Sequence, residues 1–230
     1  MAYLVQVEKI TGLAEGESAC GVFNKRVSTA DGNLGTVVAG ILLKSQKEVD
    51  LAAITRDIFE LSVKKLEGVR GGILAALISA KNAASEYARA KNLEVSFIYT
   101  FFFEDVCYVV RLGDRVKLLV FEAPKSVEIT FESGSGPLGD GQVYLIATEK
   151  FLSIFDTADL KREAEVDFRD IIDGIATEIV GEKNQSEIGA AFVITKGTEK
   201  ETEGTEDVAT SPRLAGQAER RPYGSNCSKI

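Results

Sequence analysis

Thr29-Ala30-Asp31-Gly32-Asn33-Leu34-Gly35 is the first stretch whose residue types could do chemistry. A carboxylate followed by glycine can bring both an oxygen ligand and a close-lying backbone to a cation, and hard divalent ions such as Mg²⁺ and Mn²⁺ prefer oxygen. The same residues are also common turn formers, and Asp31 or Asn33 could cap a following helix. Local sequence favours the turn and leaves the metal reading open.

Composition narrows the chemistry further. The 230 residues contain no histidine, which excludes Ser-His-Asp and Cys-His triads, histidine-ligated zinc and histidine base catalysis. Cys20, Cys107 and Cys227 are too scattered for a zinc cluster or a disulfide framework, and the first two lie in apolar runs that read as core. A formal net charge of -8 disfavours nucleic acid and anionic membranes as main partners. Apolar residues at 45% and charged ones at 27% match a globular domain. No apolar run is long enough to span a bilayer, and the first residues alternate like a strand, so a cytoplasmic location is expected.

The elements that must position these residues read as follows. Strands are expected over Tyr3–Ile10 and Ala19–Ser28, then a helix over Thr36–Lys44. Asp50–Leu66 has apolar residues at three- and four-residue spacing, with Asp50 as its cap and Gly68 as its stop. A second helix runs from Ile73 to about Lys91. A meander follows over Glu94–Phe103, Val106–Leu112, Val116–Glu122, Val127–Glu132 and Gln142–Thr148. Leu112-Gly113-Asp114-Arg115 reads as a hairpin turn and Ser133–Pro137 as a flexible loop. A short helix over Glu149–Phe155, a helix over Val166–Val180 and a closing strand over Ile188–Thr195 complete a domain of residues 1–196. Residues 197–230 are polar, lack any apolar period and are expected to be a disordered tail.

Antiparallel strands with helices gathered in pairs imply an α+β layered fold. With Gly113-Asp114-Arg115 and Leu138–Thr148, this order resembles the PPM-type (type 2C) metal-dependent serine/threonine phosphatases. The resemblance spans about residues 3 to 196. It implies a four-layer α-β-β-α sandwich of two antiparallel sheets flanked by helix pairs. It also implies Mg²⁺ or Mn²⁺ ions that acidify a water and neutralise phosphoryl charge, chemistry that needs no histidine.

On that resemblance the metal candidates are Asp31 and Gly32 for the Asp-Gly after an early strand, Asp114 for a further position, and Glu149 for the bridging position. Asp140-Gly141 matches a structural turn. Three departures stand out: Glu149-Lys150 replaces an Asp-Gly, Gln185-Ser186-Glu187 replaces an Asp-Asn, and the early Arg…Asn-Glu-Asp segment is missing. They imply a pseudophosphatase with a degenerate metal site, a non-catalytic binding or regulatory module for a protein or phosphoprotein. The alternative is an active, divergent metal-dependent phosphatase. It requires Asp31, Glu149 and Asp114 or Glu187 to converge around ions roughly 4 Å apart. A generic α+β domain is the third possibility.

Overall fold

The apolar runs pair into two antiparallel five-stranded sheets in this computed structural model, which describes residues 3–14, 16–122, 125–158, 160 and 168–197, without the side chains of 122, 125 and 168–171. The first sheet has the order β1 (Tyr3–Thr11), β10 (Gly189–Gly197), β9 (Val143–Thr148), β6 (Val116–Glu122), β7 (Lys125–Glu128). The second has the order β2 (Ser18–Ser28), β3 (Leu34–Lys44), β4 (Glu94–Phe103), β5 (Val106–Leu112), β8 (Ser133–Pro137).

Two helices, α1 (Leu51–Leu66) and α2 (Ile73–Ala90), cover the outer face of the second sheet. Helix α1 forms where the sequence places it. The Asp50 carboxylate accepts a hydrogen bond from the Ala53 N–H at 2.9 Å, and Ile54, Ile58 and Val63 recur on the face that meets Phe97, Tyr99 and Phe101. The aromatic stripe of β4 is therefore core. On the other side, α3 (Glu149–Ile154) and α4 (Phe168–Val180) lie against the first sheet, where Phe151, Ile175 and Ile179 pack on Leu145, Ala147 and Phe192. Between the sheets a third apolar layer holds Val38, Ile98, Phe102, Leu118 and Ile146. The architecture is the expected four-layer sandwich.

Four local expectations need correction. Thr36–Lys44 is a strand, not a helix: β3 pairs with β2 on one side and β4 on the other. Val37, Ala39, Ile41 and Leu43 face the helices while Val38 and Leu42 face the other sheet, so both faces are apolar and no alternation shows in the sequence. A short run of this kind cannot be told from a buried helix by period alone, although β-branched Val37, Val38 and Ile41 favour a strand.

Ser133–Pro137 is an edge strand paired with β5 rather than a loop, because backbone groups alone make a ladder and its glycines still supply them. The strand expected over Val127–Glu132 is shorter and shifted, ending at Glu128. Finally, Gly113-Asp114 is not a hairpin within one sheet. It carries the chain from β5 in the second sheet to β6 in the first. The tail beyond residue 197 lies outside the described residues.

Among the described residues no helix is long and apolar enough to cross a membrane.

Candidate functional site

Strand direction sorts the candidate carboxylates to two ends of the sandwich. Asp31 and Gly32 sit at the exposed tip of the β2–β3 turn, where Ser28 pairs with Leu34. Backbone hydrogen bonds hold that turn. The Thr29 N–H bonds the Asn33 carbonyl at 2.9 Å, Gly32 N–H bonds the Thr29 carbonyl at 3.0 Å, and Ala30 N–H reaches the Val69 carbonyl at 3.1 Å. The Asn33 amide donates to Glu104 at 3.2 Å, across to the β4–β5 turn.

Asp114 and Glu149 lie at the opposite end. There Lys44 pairs with Glu94 on β4, Leu112 leads into Gly113-Asp114-Arg115, and Val116 pairs with Thr148 just before Glu149. The eleven residues of β3 separate the two ends by about 33 Å, at roughly 3.3 Å per residue. Asp31 and Gly32 therefore cannot share an ion with Asp114 or Glu149. Convergence of these carboxylates, which the active-enzyme alternative requires, does not occur.

The end carrying Glu149 is the one where several strands deliver charged side chains. Glu187, in the short 3-10 turn Gln185–Glu187 before β10, is held from both sides. Lys44 Nζ lies 2.6 Å from its Oε1 and Arg115 Nη2 lies 3.0 Å from its Oε2. Arg115 Nη1 also reaches Glu94 at 3.8 Å. Exposures of 30% for Lys44, 29% for Arg115 and 21% for Glu187 place the cluster at the rim of the core rather than in open solvent. Below it, the hydroxyls of Ser18 and Ser186 are 2.8 Å apart. A cleft of about 510 Å³ opens here, lined by Glu17, Lys44, Ser45, Asn92, Glu94 and Glu187 among others.

The remaining candidates are turned elsewhere. Glu149 is exposed, and its Oε1 lies 3.6 Å from Lys117 Nζ, which also approaches Glu128 at 3.4 Å. Lys150 points toward the end of α4, pairing with Glu182 at 3.4 Å. Asp114 lines a separate depression with Arg111, Thr130 and Glu132. Thr148 does structural work: it accepts from the Phe151 N–H at 3.3 Å as the cap of α3, and from the Gly189 N–H at 3.2 Å.

Sequence reasoning missed Lys44. The strand whose end lies beside Glu187 is β3, and it finishes in Lys44-Ser45-Gln46. Ser45 is occupied by its own turn, donating to the Lys47 carbonyl at 2.9 Å and accepting from the Lys47 N–H at 3.0 Å. The signal was present in the sequence as the polar stop of an apolar run.

These residues do not fit a pair of divalent ions. Such ions need several free oxygen ligands. Both Glu187 oxygens already face cations, Glu149 is engaged by Lys117, and the Lys44 ammonium stands at the end of β3. Among the described residues, no group of three or more acidic, histidine or cysteine side chains could hold a metal ion. Nor do the described thiols offer a nucleophile: burial pushes both Cys20 and Cys107 up to about 12, so they stay protonated.

The fold is nevertheless that of the bacterial PPM-type phosphatases. The chain is similar to the Streptococcus agalactiae serine/threonine phosphatase, with a TM-score of 0.60 and 8% identity over 84% of this chain and 99% of that one. Against the serine/threonine phosphatase Stp1 of Staphylococcus aureus the TM-score is 0.59, with 11% identity over 86% and 96%. The catalytic domain of the phosphatase PstP, solved with two manganese ions, matches at 0.53 and 9% identity over 85% and 99%. At such identities the likeness is one of fold. No protein-family model and no curated protein matches the sequence.

Proposed function

We propose that this protein is a PPM-phosphatase-like module that does not hydrolyse phosphoesters and acts by binding or regulating a protein or phosphoprotein partner. One observation carries the reading: Lys44 and Arg115 hold Glu187 between them at the strand ends. Two tethered cations supply positive charge there without any ion. A metal would have to displace Lys44 and compete with Arg115 to reach the carboxylate. With no histidine in the chain, no imidazole can activate a water at this end.

The scaffold itself is intact, with three apolar layers.

The test is hydrolysis of p-nitrophenyl phosphate and of a phosphothreonine peptide with Mn²⁺ or Mg²⁺, comparing wild type with Glu187→Gln. The reading expects no ion-dependent turnover above buffer from either protein. Turnover by wild type that Glu187→Gln abolishes would overturn it in favour of a divergent phosphatase.

A further inference from the structure

The two sheets do not fill the space between them at the β7–β8 edge. In the β5–β8 pair, Gly136 stands opposite Cys107 and Gly134 opposite Val109. Directly paired residues share a face, and Cys107 and Val109 belong to the layer between the sheets. Both glycines therefore face that layer at positions where the neighbouring strand carries side chains. The side chain missing at Gly136 leaves room in a cavity of about 280 Å³.

Space, not backbone conformation, distinguishes the two glycines. A Cβ added at Gly136 would meet no atom within 4 Å. At Gly134 it would run into the Phe131 ring at 2.8 Å, because that ring lies across the glycine and forms one wall. Val109, Leu118, Val120 and Tyr144 line the interior. Val127, 45% exposed, and Phe131, 44% exposed, stand at the mouth as apolar side chains left half in water. Cys107 adds an uncharged wall. The Tyr144 hydroxyl donates to Gln142 Oε1 at 2.7 Å, so the polar groups nearest the cavity already bond one another.

We propose that this cavity is a binding site for a small apolar molecule, of the size of an aromatic ring bearing a short alkyl chain. A dry apolar cavity of about 150 Å³ holds one benzene ring, and this one is nearly twice as large. Among the described residues no charged side chain lines it, so an ionised group would lose its hydration without a partner. Burying an apolar ligand here also removes Val127 and Phe131 from water, which favours occupancy. The site is remote from Lys44 and Glu187 and does not depend on whether the protein hydrolyses phosphoesters.

The test is calorimetric titration of n-butylbenzene into the full chain, wild type beside Gly136→Leu, whose side chain projects into the cavity. Wild type is expected to bind at one saturable site, and Gly136→Leu to bind about tenfold or more weakly, as steric filling of a hydrophobic pocket commonly gives. Absence of saturable binding by wild type, or undiminished binding by a folded Gly136→Leu, overturns the proposal. Should Gly136→Leu fail to fold, amide chemical shifts of the wild type decide. Perturbations centred on Val109, Val120 and Ile129 support the site, and perturbations centred elsewhere refute it.

Discussion

Lys44 Nζ and Glu187 Oε1, 2.6 Å apart, join the end of β3 in one sheet to the turn before β10 in the other. With Arg115 on the crossing between β5 and β6, they form a charged clasp across one end of the sandwich. Replacing Glu187 by Gln leaves two cations facing each other without their shared anion. The expected cost is about 1–3 kcal/mol, between the ranges for exposed and buried pairs. Urea unfolding measures it, and the loss should shrink in Lys44→Met/Glu187→Gln, where one of the opposed cations is gone. Equal losses in the single and double variants would show that the clasp does not couple these residues.

The turn that delivers Arg115 depends on Gly113. Its φ of 73° lies in the left-handed region, and a Cβ there would run into the Ser96 hydroxyl. Gly113→Ala is expected to destabilise by about 1–3 kcal/mol, combining the left-handed backbone cost with the clash. Removing the obstruction with Ser96→Gly should recover only the steric part. A Gly113→Ala variant as stable as wild type would mean that the turn readily adopts another conformation.

Stability should fall in alkali. Cys20 and Cys107 ionise at about 12 in the native fold against an ordinary 9.0, because burial penalises the thiolate, and burial likewise raises Tyr99. Below pH 9 the native and unfolded thiols hold the same proton. Above it the unfolded thiols release theirs while the native ones cannot, so the native state binds more protons and stability declines as pH rises from 9 toward 12. Each fully buried group contributes a slope of at most about 1.4 kcal/mol per pH unit. Urea midpoints between pH 7 and 11 would display the decline, and Cys20→Ala/Cys107→Ala should flatten it. An identical slope in that variant would remove the thiols from the explanation.

The sandwich was legible in the sequence wherever one face of an element is wet. Helix α1 shows its apolar stripe and its Asp50 cap; β4 to β6, covered on both faces, are legible instead from the polar turns that bound them, so the layers and most boundaries follow. The site was not legible because of a single element. β3 is apolar on both faces and carries no alternation, and reading it as a helix removes one reversal of chain direction. That places the Asp31-Gly32 turn after the early strand, where a ligand is wanted, when it is the hairpin at the far end. Counting β3 as a strand brings Lys44, not Asp31, to the end that carries Glu149 and Glu187. Glu149 looked available for a different reason: its pairing with Lys117, on the neighbouring strand, is set by the β6–β9 register rather than by any local pattern.

The central claim is that Lys44 and Arg115 occupy the Glu187 carboxylate, so that this end of the sandwich takes up no divalent ion. Calorimetric titration of Mn²⁺ into the full chain tests it most directly, with Asp31→Ala and Glu187→Gln alongside. The account predicts no saturable binding by wild type and no change on replacing Asp31. Saturable Mn²⁺ binding by wild type that disappears in Glu187→Gln would contradict it.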